Sequence, residues 1–119
     1  MRNFRELEVW KIGMELSVSI YKLGSLFPKN ETYSLQSQVQ RSAASIPANI
    51  AEGCSRSSNK EFIRFLEIAL GSAFELETHL MIIREIQLFE TDFEALISKI
   101  HELQSKLNAF RNSVKKFDQ

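Results

Sequence analysis

Five side chains stand out as candidates for an active or metal site: Glu52, Cys54, Glu75, His79 and His101. A di-metal centre in a helical bundle uses Glu-x-x-His pairs that project inward from facing helices. The residues three positions before the two histidines are Leu76 and Ser98, so neither pair exists. Glu75 and His79 share a helical face at i, i+4, but two ligands do not complete a zinc shell. Cys54 follows Gly53 with Arg56 close by, and a neighbouring cation can lower a thiol pKa. No histidine lies near it in sequence to act as a base, so it reads as a small loop or core residue. Glu52 is expected to pair with Arg41, Arg56 or a backbone donor in a mostly shielded site. The glycines Gly13, Gly24, Gly53 and Gly71 stand apart, outside the strand–turn–helix context of a phosphate-cradling loop. The expectation is a non-enzymatic chain with no catalytic residue, no metal and no cofactor.

A second chemistry is electrostatic. Fifteen Lys and Arg balance fifteen Asp and Glu, so there is no bulk attraction to a polyanion. The charge is nevertheless unevenly placed. Arg2, Arg5 and Lys11 lie at the start of the first helical segment, and Lys106, Arg111, Lys115 and Lys116 near the end of the last. In an antiparallel bundle of four both groups fall at one end of the molecule. They are the candidate nucleic-acid contacts, for RNA or DNA held weakly through phosphates. Trp10 and the nine Phe do not interleave with them as base-stacking platforms would, so little sequence preference is expected.

A chain of 119 residues with 44% hydrophobic and 25% charged residues suits one globular domain, 1–119. Four Gly and two Pro leave too few turn residues for an all-β fold. The single cysteine excludes an internal disulfide and fits a reducing compartment. The charged N-terminus lacks the apolar centre of a signal peptide, and no apolar run approaches the ~18 residues that span a bilayer. A cytoplasmic location without membrane contact is expected.

The elements that must position these residues are four helices, near 5–26, 31–52, 58–88 and 92–116. The stretch Tyr33–Arg56 is central. Leu35, Val39, Ala43, Ile46 and Ile50 make an apolar stripe at helical spacing. Pro47 inside it predicts a kink, and Gly53 a left-handed helix stop. Ser58 to Glu61 and Thr91 to Glu94 read as capping boxes. Helix 1 carries two apolar stripes: Leu7, Trp10, Met14, Val18, Tyr21, and Val9, Ile12, Leu16, Ile20, Leu23, Phe27. Helix 3 is also double-faced, with Phe62, Leu66, Ala69, Ala73, Leu76, Leu80 and Ile83 on one stripe and Ile63, Leu70, Phe74, Met81 and Leu88 on another, whereas helix 4 shows a single heptad seam from Phe93 to Phe117. Gly71-Ser72-Ala73 predicts a close crossing against small residues of helix 2. The architecture is therefore all-α, an up-down-up-down antiparallel four-helix bundle. Its surplus apolar surface predicts a closed, ring-like homo-oligomer. The interface candidates are Val9, Ile12, Leu16 and Ile20 on helix 1, and Ile63, Leu70, Phe74 and Met81 on helix 3.

The segments FRELEVWKIG, YSLQSQVQRSAASIPANIAEG and EFIRFLEIALGSAFELETHL resemble the bacterial four-helix-bundle proteins encoded in 23S ribosomal RNA intervening sequences. The resemblance covers nearly all of the chain up to about Leu88, and SIPANIAEG is its most specific part. It implies a pentamer. It also implies kinship in fold with the accessory variability protein of diversity-generating retroelements, a pentameric barrel that binds nucleic acid and a reverse transcriptase. The matching motif residues are Arg41, Pro47, Asn49, Glu52 and Gly53, with a structural or interface role. Gln40 and Leu70 stand where relatives commonly carry a basic residue, which weakens the nucleic-acid reading; Ser34 replaces a common glycine. The functional expectation is an oligomeric interaction or scaffold protein with a protein partner. The alternative is an RNA-binding accessory protein that uses its basic end.

Overall fold

Helix α1 (Glu8–Lys22) is entered through a 3-10 turn at Phe4–Glu6, where the Asn3 side chain accepts from the Arg5 amide. It leaves through a second 3-10 turn, Leu23–Leu26, and Phe27-Pro28 ends the segment. A 3-10 turn (Lys29–Glu31) and a π-helical turn (Thr32–Gln36) lead into α2 (Ser37–Cys54). α3 (Asn59–Glu85) and α4 (Phe93–Phe117) complete the chain. The computed structural model describes residues 2–117, and at residues 31–33 the backbone alone. Asp118 and the expected fraying of the chain end lie outside the described residues.

The caps explain where the last two helices begin and where α3 stops. The Ser58 hydroxyl accepts from the Glu61 amide at 3.2 Å, as the capping pattern predicts. At the start of α4 the cap is Asp92 rather than Thr91, its carboxylate accepting from the Ala95 amide at 3.0 Å. α3 ends in a reversed turn: Gln87 takes φ 54°, and the Leu88 amide donates to the Ile83 carbonyl. That is the helix stop usually given to glycine.

Neighbouring helices run antiparallel throughout. Gly13 meets Ile46 and Pro47 while Ser17 meets Ala43, so α1 and α2 run in opposite directions. Ser45 meets Ser72, and Gly53 meets Phe62 and Phe65. Glu77 meets His101 and Glu67 meets Arg111. Glu15 meets Lys99 and Glu8 meets Lys106, which closes α4 onto α1. The result is a four-helix up-down bundle 48 Å long, with no strand among the described residues. Its core is the stripe the spacing predicts on α3 (Phe62, Leu66, Ala69, Ala73, Leu76, Leu80, Ile83) against Val39, Ala43, Ile46 and Ile50 of α2. Ile100, Leu103, Leu107 and Val114 of α4 are buried in the same core. Phe117, the last position of the predicted seam, is exposed, because the bundle ends before it.

Two local expectations are corrected, at Gly53 and at Gly71. Pro47 lies inside α2, which is helical on both sides of it. Its missing N–H would leave the carbonyl of Ala43, four residues back, without a helical donor. The buried Ser17 hydroxyl of α1 donates to that carbonyl at 2.8 Å. Gly53 is not a left-handed stop, since no glycine has positive φ. It is a packing glycine: a Cβ there would lie 2.8 Å from Phe65 Cβ and 3.0 Å from Phe62 Cδ1. The crossing expected at Gly71-Ser72-Ala73 forms at Ser72, whose hydroxyl bonds that of Ser45 at 2.9 Å, while Gly71 itself faces open space.

The Ser17 bond generates a direct test. Ser17→Ala should destabilise the fold by about 1–3 kcal/mol, the cost of a buried acceptor left unpaired. In a Pro47→Ala background the new amide can serve Ala43, so the same substitution should cost ~1 kcal/mol less. A double-mutant cycle from urea unfolding measures this; strict additivity would remove the assigned role of Ser17.

Candidate interaction surface

Two apolar bands remain on the outside of the bundle. On α1, Met14, Val18 and Tyr21 are exposed, with Trp10 half-buried beside them. Next to them α2 presents Ala44, Pro47, Ala48 and Ala51, and the two helices enclose a shallow groove of about 240 Å³ that Trp10 and Met14 help to line. On α3, Phe74 and Met81 are exposed on the side of Glu77, which bonds α4. Ile68, Ile82 and Ile86 are exposed on the side of Ser72, which bonds α2.

This placement corrects half of the expected interface set. Val9, Ile12, Leu16 and Ile20 are buried in the chain's own core, so the two stripes of α1 exchange roles. The reason lies between them. Gly13 and Ser17 share the buried side, and such small residues let α2 come close, so this face turns inward and the Met14–Val18–Tyr21 face is left out. On α3, Ile63 and Leu70 are half-buried against the core, and Phe74 and Met81 are free on the surface.

The motif residues of α2 divide between packing and surface. Pro47 and Gly53 are buried contacts to α1 and α3. The Asn49 side-chain amide donates to the Ser45 carbonyl at 2.7 Å and to its hydroxyl at 2.8 Å, extending the Ser45–Ser72 link. Glu52 pairs with Arg56 at 3.0 Å, but its side chain is 53% exposed, so it is not in the shielded site expected. It lies on the outward side of the last turn of α2. Arg56 also stacks over the Phe65 ring, 4.8 Å from its centroid. Arg41 is exposed and has no ion pair among the described residues. Cys54 is buried, and desolvation pushes its thiol up, away from the reactive thiolate.

The seven basic candidates do gather at one end, where α1 starts and α4 finishes. Most are already engaged. Lys106 pairs with Glu8, which also holds its ammonium above the usual lysine value. Arg111 and Lys115 share Glu67, at 3.4 and 3.7 Å. Arg2 bonds Asn59 and lies over the Phe62 ring; Arg5 lies over Phe4. Lys11 and Lys116 have no partner among the described residues. Sequence reasoning missed Arg56, Lys60 and Arg64, which the start of α3 brings to this same end; the alternating direction of the helices was the available signal. At the opposite end acids outnumber bases, with Glu85, Glu90, Asp92 and Glu94 on α3, its exit and α4 beside Lys22, Lys29 and Arg84.

The sequence profile of the 23S rRNA-intervening sequence proteins matches residues 5–109. The chain belongs to that family. Among solved structures it is similar to a protein of unknown function from the S23 ribosomal protein family of Bacteroides thetaiotaomicron. Identity is 27%, the match covers 87% of this chain and 97% of that one, and the TM-score is 0.79. No curated protein matches. Neither the family description nor that of the neighbour indicates a catalytic role.

In this 23S rRNA-intervening sequence protein the two histidines sit on different links. His79 lies 3.7 Å from Glu75. His101 lies 2.9 Å from Glu77, which also accepts from the Gln104 amide at 2.8 Å. No group of three metal-ligating side chains forms among the described residues, and no helix there is long and apolar enough to cross a membrane. The Gln104 hydrogen bond, then that from His101, holds the Glu77 carboxyl below its ordinary value. A depressed folded pKa stabilises above the unfolded pKa, and that contribution is lost as pH falls through the folded one. Glu77→Gln should therefore lower stability at neutral pH, and the gap to wild type should close below about pH 4. Urea unfolding across a pH series checks this; a gap that persists in acid would mean that the carboxylate charge is not what stabilises.

Proposed function

We propose that this protein is a non-enzymatic interaction protein that works as a closed, ring-like homo-oligomer and presents a composite surface to a protein partner. The observation that carries the reading is the pair of uncovered apolar bands. Val18 is 47% and Tyr21 51% exposed on α1, and Phe74 is 53% and Ile86 55% exposed on α3. Contiguous apolar surface of this kind marks contacts between proteins. The bands lie on different sides of the bundle, so one copy can offer its α1 side to the α3 side of the next. Such heterologous contacts close into rings when the rotation allows. The number five comes from the family resemblance. Val18→Glu and Phe74→Glu should each dissociate the assembly and keep the helical circular dichroism signal. Light scattering reads the mass. A wild type that stays monomeric across micromolar concentrations would end this reading.

A second reading, RNA binding, is supported by the free cations at the basic end. Lys11, Lys60, Arg64 and Lys116 are exposed there and have no acid partner among the described residues. Binding through them would be salt-steep, with a log–log slope of about −0.9 per phosphate on a duplex. Lys60→Glu with Arg64→Glu should then abolish low-salt RNA retention on a filter, and retention indifferent to both changes would reject this end as the contact.

A further inference from the structure

We infer that the groove between α1 and α2 seats a carboxylate from a second copy of this chain, and that Arg41 is the side chain that receives it. The inference rests on the self-association proposed above.

The groove is open, about 690 Å³ in volume, and among the described residues that line it Arg41 is the only charged one. The residues around it are neutral hydrogen-bonding groups, among them Tyr21, Gln36, Ser37 and Gln40. Three of the other arginines have acids of their own, whereas Arg2 and Arg5 lie over rings and Arg64, at the basic end, has no acid among the described residues. Arg56 has Glu52 at 3.0 Å, Arg84 has Glu85 at 3.4 Å and Arg111 has Glu67 at 3.4 Å. Arg41 has none among the described residues, and Ala44 and Ala48 beside it leave its guanidinium open to an incoming group. A guanidinium fork among neutral donors suits a carboxylate, which it can hold through two parallel hydrogen bonds. The turn that delivers Gln36 to the rim is π-helical, a distortion that recurs at functional sites.

Charge complementarity points to a second copy as the occupant. The groove is continuous with the exposed Tyr21 of the α1 band. The Ser45–Ser72 and Glu77–His101 contacts place Arg41 in the same half of the bundle as Glu90, Glu94 and Glu102. These three are exposed and have no ion pair among the described residues. Copies packed side by side in the same direction therefore bring acidic halves together. Arg41 relieves that repulsion by accepting one of the carboxylates. Inverted copies would present the basic end to Arg41 instead, so the pairing also selects the parallel arrangement.

The test is sedimentation equilibrium of wild type, Arg41→Lys, Arg41→Gln and Arg41→Glu at low and high salt. Arg41→Gln should weaken association about tenfold and remove most of its salt sensitivity, as expected for loss of a hydrogen-bonded interface charge. Arg41→Glu should weaken it further, and Arg41→Lys should retain part of the affinity. If wild type assembles and all three variants assemble equally well, this inference is overturned and the self-association reading stands. Loss of RNA or protein-partner binding in those fully assembled variants would reassign the groove to that occupant. A monomeric wild type overturns both readings.

Discussion

The packing of this bundle depends on how α2 crosses α1 with a proline in its middle. Pro47 deprives Ala43 of its helical donor, and Ser17 supplies one from the neighbouring helix. Pro47 then lies against Gly13, where a side chain would begin 3.4 Å from its ring. The two contacts are four residues apart on each helix, one turn, so they fix the register and the rotation of α1 together. Once Gly13 and Ser17 face α2, Val9, Ile12, Leu16 and Ile20 must point into the core. Met14, Val18 and Tyr21 must then point out. The uncovered band on α1 thus follows from a backbone constraint on α2.

The SIPANIAEG segment gains a physical meaning from the same region. Ile46 and Ile50 fill the core, Pro47 meets α1, and Gly53 admits the rings at the start of α3. Ser45 and Asn49 tie the outer side to Ser72. Glu52 is the exception, because its partner is Arg56 on the adjoining turn. Most of the segment is a three-helix junction. That accounts for small and polar residues where an ordinary amphipathic helix would carry leucine.

Local signals in the sequence were sufficient wherever one helix decided the outcome. The Ser58 cap, the core stripe of α3 and the seam of α4 are set by spacing within a single element. The misreadings arose where a second helix intervened. Gly53 resembles a helix end until Phe62 and Phe65 are placed against it. The two stripes of α1 are equally apolar, and only the small residues beside one of them decide which is buried. Glu52 was expected to be shielded because its neighbours are small, yet those small residues face outward. Of the candidate surface, Phe74, Met81 and the basic end were legible. The Arg41 groove was not, since its rim is assembled from Tyr21 on α1 and the turn before α2.

The separation of charge along the bundle has an effect that a net charge of zero conceals. Basic side chains collect where α1 begins and α4 ends, and acidic ones collect at the far end of an object 48 Å long. Such a molecule has a permanent electric moment roughly along its helices, and its two tips have opposite surface potentials. A neutral protein of this build should be drawn tip-first to both cation- and anion-exchange resins in dilute buffer. Its isoelectric point therefore says little about which charged surfaces it will meet.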